Sequence, residues 1–268
     1  MQFGFDIGGT KTEFCVIEGG EIIFRERLLN RSDENGNMDN IFKLISDSQV
    51  KNIKKIGFSL KGIINADKNI VEKTSLEWLT NNFIDKIRQK CKCEIKLQND
   101  AKCFALAESQ MGIGKGYKNG FYLILGTGVG SATIFNGEVL TGFNNAAGEI
   151  GHIKYKDNIE FEEILSGPGF SKNYNNLTPK EIMQEYRSGN VGAVDYFDKY
   201  MDFLAYFLHM IIAVTAPEII VIGGGLSNIP EIIEQLPLYL KKYVYGFIPQ
   251  VYRNTLGDSS GVIGACFL

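Results

Sequence analysis

Residues 3–28, FGFDIGGTKTEFCVIEGGEIIFRERL, alternate apolar and polar positions and are broken twice by glycine. FGFDI (3–7), TEFCVI (12–17) and EIIFRERL (21–28) have the β-branched and aromatic content of strands. The GGTK and EGG turns between them carry the glycines that a tight reversal needs. The same unit returns from residue 121 as FYLIL, the turn GTGVG, SATIF, the turn Asn136-Gly137 and EVLTG. Asn-Gly between alternating strands is a strong hairpin signal. After the first copy come DNIFKLISDSQVK, the strand KIGFSL, a helix around LTNNFIDKIRQKC and the strand EIKLQ. After the second come a helix within DYFDKYMDFLAYFLHMIIAVT, the strand EIIVIG and a helix in PEIIEQLPLYLKKYV. An α/β unit that occurs twice, each time opened by an antiparallel hairpin, predicts two duplicated lobes around a cleft. The expected lobes are 1–104 and 105–254, with GVIGACFL reading as a closing helix that returns 255–268 to the first.

Composition narrows the function. The chain of 268 residues has 44% hydrophobic and 22% charged residues, as a globular protein does, and a net charge of −3. That charge argues against a nucleic-acid partner, which a basic patch would announce. No Gly/Ser-rich or single-charge tract supplies a flexible linker. MQFGFDIGG has neither the basic region nor the apolar run of a signal peptide, and the longest apolar stretch is interrupted by Pro217 and Glu218, so no membrane partner is expected. Five scattered cysteines suit reduced thiols in a cytoplasmic protein rather than a disulfide framework. Cys91-Lys92-Cys93 lacks the second pair or the histidine that a zinc site needs.

GGTK (8–11) invites a P-loop reading, but a P-loop runs straight into a helix, and TEFCVI reads as a strand. What remains is a hairpin whose glycines let backbone N–H groups approach a phosphate, with the Thr10 hydroxyl and Lys11 nearby. GTGVG (126–130) is its counterpart in the second half, and two such turns in equivalent places predict a phosphate clamp. VIGGGLS (221–227) follows a continuous apolar strand without matching the dinucleotide fingerprint. Gly223, Gly224 and Gly225 either let a flat group such as an adenine ring lie on bare backbone or relieve a crowded helix–strand crossing. In LQNDAKCFALAESQMG (97–112), Asn99 and Asp100 fall where a strand ends and a helix begins. Asp100 is there either an N-cap or a carboxylate placed to accept the proton of an attacking hydroxyl in phosphoryl transfer.

In order along the chain, FGFDIGGTK, NDAKCFALAES, LILGTGVG, IFNG, GEIGH, ILSGPGF and IVIGGGLSN resemble the ROK family of sugar kinases and repressors, in wording closest to the bacterial N-acetylglucosamine kinases. The resemblance runs from residue 3 to the GVIGACFL end. It implies an actin-like, ribonuclease H-like ATPase fold, usually a homodimer, with ATP and Mg²⁺ as phosphoryl donor and a hexose as acceptor. By position, Asp100 would be the general base, and Asn99, Glu149, His152 and Glu162 would hold sugar hydroxyls. Gly8, Gly9, Thr10 and Lys11, with Gly126, Thr127, Gly128 and Gly130, would hold the ATP phosphates. Gly223, Gly224 and Gly225 would lie under the adenosine, and Asp6 would sit near Mg²⁺ through water. The family's repressors carry a helix-turn-helix ahead of the sugar domain; a first strand at residue 2 and an acidic chain do not lead to that expectation.

Residues 148–167, GEIGHIKYKDNIEFEEILSG, depart from the family pattern. In most ROK proteins the histidine of ExGH joins three cysteines of a CxCGxxGC loop around a structural zinc. Here the segment is too short and every cysteine position is missing, so no zinc is expected. The glutamate four residues before Ser166-Gly167 survives as Glu162. Glu160 and Glu163 read as solvated charges, and His152 either donates to a sugar hydroxyl or orients Glu149. Lys61-Gly62 stands where the family commonly has Pro-Gly. The expected substrate is N-acetylglucosamine, phosphorylated at the 6-hydroxyl, with glucokinase, N-acetylmannosamine kinase, fructokinase and a catalytically inactive sugar-binding protein as alternatives.

Overall fold

The glycine turns after residues 7 and 18 fold the start of the chain into an antiparallel meander. In the computed structural model, which describes residues 1–268, β1 (Gln2–Ile7) pairs with β2 (Lys11–Glu18), and β2 with β3 (Glu21–Leu29). After α1 (Glu34–Asp47), β4 (Lys55–Leu60) joins β1 in parallel. A short ribbon, β5 (Ile63–Asn65) and β6 (Ile70–Lys73), and α2 (Asn81–Cys91) lead to β7 (Glu94–Asn99), parallel to β4, and then α3 (Asp100–Gln110). The sheet order is β3-β2-β1-β4-β7. β4 lies between β1 and β7, parallel to both, which is why all of KIGFSL after Lys55 is buried. Phe5 stacks on Phe14 and Phe58 with centroids 4.3 and 5.1 Å apart, and all three are fully buried. Each such ring contributes roughly 2–3 kcal/mol by leaving water.

The second half repeats the plan. β8 (Gly120–Leu125), β9 (Val129–Phe135) and β10 (Glu138–Val139) form the meander. The short helices α4 (Phe161–Leu165) and α5 (Gly167–Lys172) precede α6 (Pro179–Arg187) and the 25-residue α7 (Val191–Thr215). β11 (Ile219–Gly223) then lies parallel to β8, and after α8 (Pro230–Leu240), β12 (Gln250–Arg253) lies parallel to β11. The order β10-β9-β8-β11-β12 matches that of the first sheet. α7 buries Phe197, Tyr200, Met201, Leu204 and Leu208, the three- and four-residue spacing of one helical face. It stops at Ala216, which takes a left-handed φ of 41° before Pro217. No helix is long and apolar enough to cross a membrane.

The chain divides into Met1–Met111 with Thr141–Ala147 and Leu256–Leu268, and Gly112–Leu140 with Gly148–Thr255. The last helix, α9 (Ser260–Ala265), belongs to the first of these units. It lies so close to the sheet that a Cβ on Gly57 would stand 1.9 Å from the Ala265 carbonyl oxygen, and so close to α3 that one on Gly264 would stand 1.8 Å from the Cys103 carbonyl oxygen. Three local expectations differ from what forms. α1 starts five residues before the expected DNIFKLISDSQVK, because Asp33 accepts from Gly36 N–H and caps a first turn that reads as loop. EVLTG pairs only through Val139. Beyond it, Thr141–Ala147 leave for the first unit, where buried Asn145 donates to the Ile64 carbonyl at 2.8 Å and to Gln98 at 2.7 Å. β12 has four residues and too little alternation to be seen in sequence.

Candidate active site

In the first unit the Gly8–Lys11 turn is closed by Gly8 N–H donating to the Lys11 carbonyl at 3.0 Å. Asn30, not singled out in sequence, braces it: its N–H donates to the Thr10 carbonyl at 2.9 Å and its side-chain amide to that of Gly8 at 2.9 Å. Thr12 then donates to Asn30 Oδ1 at 2.7 Å. With its carbonyls so engaged, the turn leaves Gly9, Thr10 and Lys11 exposed, and a Cβ on Gly9 would meet nothing within 4 Å. That is a backbone an anion can approach.

Asp6 sits one residue before the end of β1, beside Ser59 of β4 in the parallel register, and the Ser59 hydroxyl donates to its Oδ1 at 2.6 Å. Desolvation is the main cause that pushes its carboxyl from 3.8 up to about 7; Asp100 and Glu13 add to the rise, while Ser59 and Arg27 oppose it. A cation would reverse that balance. No group of three or more His, Cys, Asp or Glu side chains is arranged to hold a metal. The donor set at Asp6 fits Mg²⁺ held by one or two carboxylates and its own waters rather than a closed cage.

Asp100 is the first residue of α3, and the N-cap is Asn99, which corrects the reading of Asp100 as the cap. Asn99 Oδ1 accepts from the N–H groups of Ala101 at 2.9 Å and Lys102 at 3.4 Å, and its amide donates to the Gly62 carbonyl at 3.1 Å. Asn99 thus fixes the strand-to-helix corner. Gly62, at φ 137°, is where only glycine brings that carbonyl within reach. Asp100 accepts from Ala101 N–H at 3.0 Å and complements the positive end of α3.

In the second unit the GTGVG turn is a hub. Gly126 N–H donates to the Gly128 carbonyl at 3.0 Å, and Gly167 N–H to the Gly126 carbonyl at 2.7 Å. Glu162 Oε2 accepts from Val129 N–H at 2.7 Å and lies only 2.5 Å from where a Cβ on Gly128 would stand. Gly224, at φ 82°, packs so tightly on the turn that a Cβ would come within 2.5 Å of the Leu125 carbonyl oxygen. Gly223 ends β11 buried, whereas Gly225 is exposed. The GGG segment thus packs through Gly224 against the start of the GTGVG turn, where Thr127 is exposed.

Glu149 and His152 are carried on a segment pinned to β9: Ser131 donates to the Gly148 carbonyl at 2.8 Å, and a Cβ on Gly151 would stand 2.6 Å from the Val129 carbonyl oxygen. His152 Nδ1 lies 2.9 Å from Glu160 Oε2. Its pKa is raised, first by that hydrogen bond and then by the charges of Glu160, Glu162 and Glu149, with desolvation opposing. So the structure gathers Glu149, His152 and Glu162 into one electrostatic neighbourhood. The reading of Glu160 as a solvated charge is corrected: it is half-buried and holds the imidazole. Glu163 is exposed, but its carboxylate accepts from Glu160 N–H at 3.0 Å at the start of α4.

The sequence matches the ROK family over residues 2–268. It is 32% identical to the N-acetyl-D-glucosamine kinase of Photobacterium profundum over 299 residues, covering 100% of this chain and 99% of that one. It is 33% identical to the enzyme of the same name from Mannheimia succiniciproducens over 300 residues, covering 100% and 99%. Its fold is that of a ROK glucokinase from Streptomyces griseus solved with glucose and AMPPNP (TM-score 0.80, 22% identity, 99% and 98% covered). It is also that of the ROK hexokinase from Thermus thermophilus (TM-score 0.86, 21% identity, 99% and 97% covered).

Proposed function

This chain belongs to the ROK family, and we propose that it is an ATP-dependent sugar kinase that phosphorylates N-acetylglucosamine at the 6-hydroxyl. The observation that carries the reading is Glu162. One carboxylate is bonded to the backbone of the GTGVG turn and shares a neighbourhood with His152 and Glu149, so the groups suited to sugar hydroxyls adjoin the backbone suited to phosphate. Carboxylates and an imidazole that bind vicinal hydroxyls give directional recognition, because each hydroxyl both donates and accepts.

In the proposed reaction Asp100 accepts the proton of the sugar hydroxyl as the new O–P bond forms and the bond to the leaving ADP oxygen breaks. Asn99 holds the corner that presents Asp100. The tips of the Gly8–Lys11 and Gly126–Gly130 turns, with the Lys11 side chain, face the phosphates, and Gly223–Gly225 take the adenosine. Asp6 would help hold Mg²⁺, which would supply charge neutralisation at the phosphates. A homodimer is the proposed assembly, with a solution mass twice the 29.9 kDa of the chain. Free cysteines and an ATP substrate support a cytosolic location for the proposed activity.

The test is ADP release from ATP and Mg²⁺ with N-acetylglucosamine, N-acetylmannosamine, glucose, fructose and mannose. Turnover with the highest kcat/KM for N-acetylglucosamine supports the reading. A preference for another sugar of the panel reassigns the substrate, and silence across the panel while sugar still binds overturns the kinase assignment.

A further inference from the structure

The segment between His152 and Phe161 forms a small hairpin of its own. Lys156–Ile159 make a tight turn with Asp157 and Asn158 both left-handed, at φ 57° and 61°, and Ile159 N–H donates to the Lys156 carbonyl at 3.2 Å. This is the primed turn that suits a two-residue hairpin loop, and Asp and Asn tolerate it. Tyr155 N–H donates to the Ile159 carbonyl at 2.7 Å and Phe161 N–H to that of Ile153 at 3.1 Å, with Lys154 bridged to Glu160. The hairpin returns the chain so that Glu160 Oε2 lies 2.9 Å from His152 Nδ1. Bonding through Nδ1 leaves Nε2 as the ring nitrogen with no partner in the chain, on a side chain that is 61% exposed.

We propose that Glu160 is a positioning residue for sugar recognition, its carboxylate holding the His152 ring so that Nε2 is presented to a sugar hydroxyl beside Glu149 and Glu162. The inference rests on the sugar-kinase reading above. An imidazole on an exposed segment samples several rotamers, and a carboxylate bonded to its far ring nitrogen fixes both orientation and tautomer. Neutral His152 with Nδ1–H on Glu160 accepts at Nε2; the imidazolium donates there. The charged groups facing the ring are Glu149, Glu160 and Glu162, with Lys154 bridged across from Glu160. The three carboxylates favour the imidazolium, so Nε2 is a donor to higher pH than it would be on an isolated histidine. As a raised pKa, this contribution is complete at low pH and is lost as pH rises through the value in the folded protein.

The chain has only two histidines, so the imidazole signals of His152 can be assigned by NMR with His209→Asn as the reference. Titration of the full-length protein with and without N-acetylglucosamine is compared for wild type, Glu160→Gln, Glu160→Asp and Glu163→Gln, alongside the sugar Kd and the steady-state constants. In Glu160→Gln we expect the His152 pKa to fall, the sugar Kd and KM to rise about tenfold as for loss of one charged hydrogen bond, and kcat and the KM for ATP to move far less. Glu160→Asp should recover part of the loss. Glu163→Gln, which removes the bond at the start of α4 without touching His152, should leave the His152 titration in place. An unchanged sugar Kd in Glu160→Gln overturns the proposal, as does an equal loss in Glu163→Gln, which would make the effect one of helix folding. Wild type that binds sugar without releasing ADP refutes the kinase reading alone, and the Kd comparison still decides the role of Glu160. Wild type that binds no sugar overturns both.

Discussion

Asp6 lies near the end of β1 and Asp100 opens α3 just after β7, two strands away in the same sheet, and each has a distinct local reason for its place. Asp100 is relieved of capping by Asn99, so its carboxylate is not needed to start α3. Asp100→Asn keeps the size and the helix, and should lower kcat by about 10²- to 10⁴-fold, the usual contribution of a general base, with the sugar Kd nearly unchanged. Steady-state kinetics beside calorimetric sugar titration would check this, and unchanged turnover would remove Asp100 from the chemistry. Asp6 carries a pKa of about 7 because burial disfavours its charge. As an acid raised in the folded state, it contributes most to stability below its ordinary 3.8, and that contribution is lost as pH rises through about 7. Asp6→Asn should remove this dependence, so that denaturant melts show the variant gaining on wild type between pH 4 and pH 7 on a scale of about 1 kcal/mol or more. Added Mg²⁺ with ATP should stabilise wild type and not the variant at pH 8. Equal pH dependence in both proteins would show that Asp6 is well solvated.

At the scale of elements, close approach rather than turn formation explains several glycines. Gly57 lies inside β4, where a glycine normally weakens a strand, yet α9 approaches so closely that no Cβ fits against the Ala265 carbonyl. The obstructing atom is backbone, so a side chain cannot swing aside. Gly57→Ala should cost about 1–3 kcal/mol or more by overpacking, read as a lower denaturant midpoint, with the helix content kept. No change in midpoint would mean that α9 docks loosely. At its start, α9 is also tied to the hairpin: Ser259 donates to Glu13 at 2.9 Å, and Arg27 donates to the same buried carboxylate at 2.6 Å. The hairpin at 153–161 is the opposite case. It has no glycine, and its turn of Asp157 and Asn158 lies among Lys154, Lys156 and Glu160, so Glu160 reads in sequence as a solvated charge.

For the whole molecule, ligands that bind only the folded chain should raise its stability by mass action. Saturation at about 100 times Kd adds roughly 2.7 kcal/mol, a Tm increase of several degrees for a chain of this size. ATP with Mg²⁺ and N-acetylglucosamine should each raise Tm in thermal melts, and a sugar that fails to do so is not the substrate. The duplicated sheet was legible from the chain because strand periodicity and glycine turns are local, and both hairpin units repeat them in the same order. Family membership was equally legible, because its motifs are short runs set by backbone geometry at turns. Sequence alone thus determined the antiparallel hairpin that opens each half, the glycine turns and the acidic and histidine residues available for chemistry. Tertiary structure decided what those residues touch. Asn99 and not Asp100 caps α3, Asn30 braces the first turn, Glu162 bonds the second, Thr141–Ala147 join the first unit, and Glu160 meets His152. These contacts depend on register and on packing between segments distant in the chain, and no periodicity or composition within a local window encodes them.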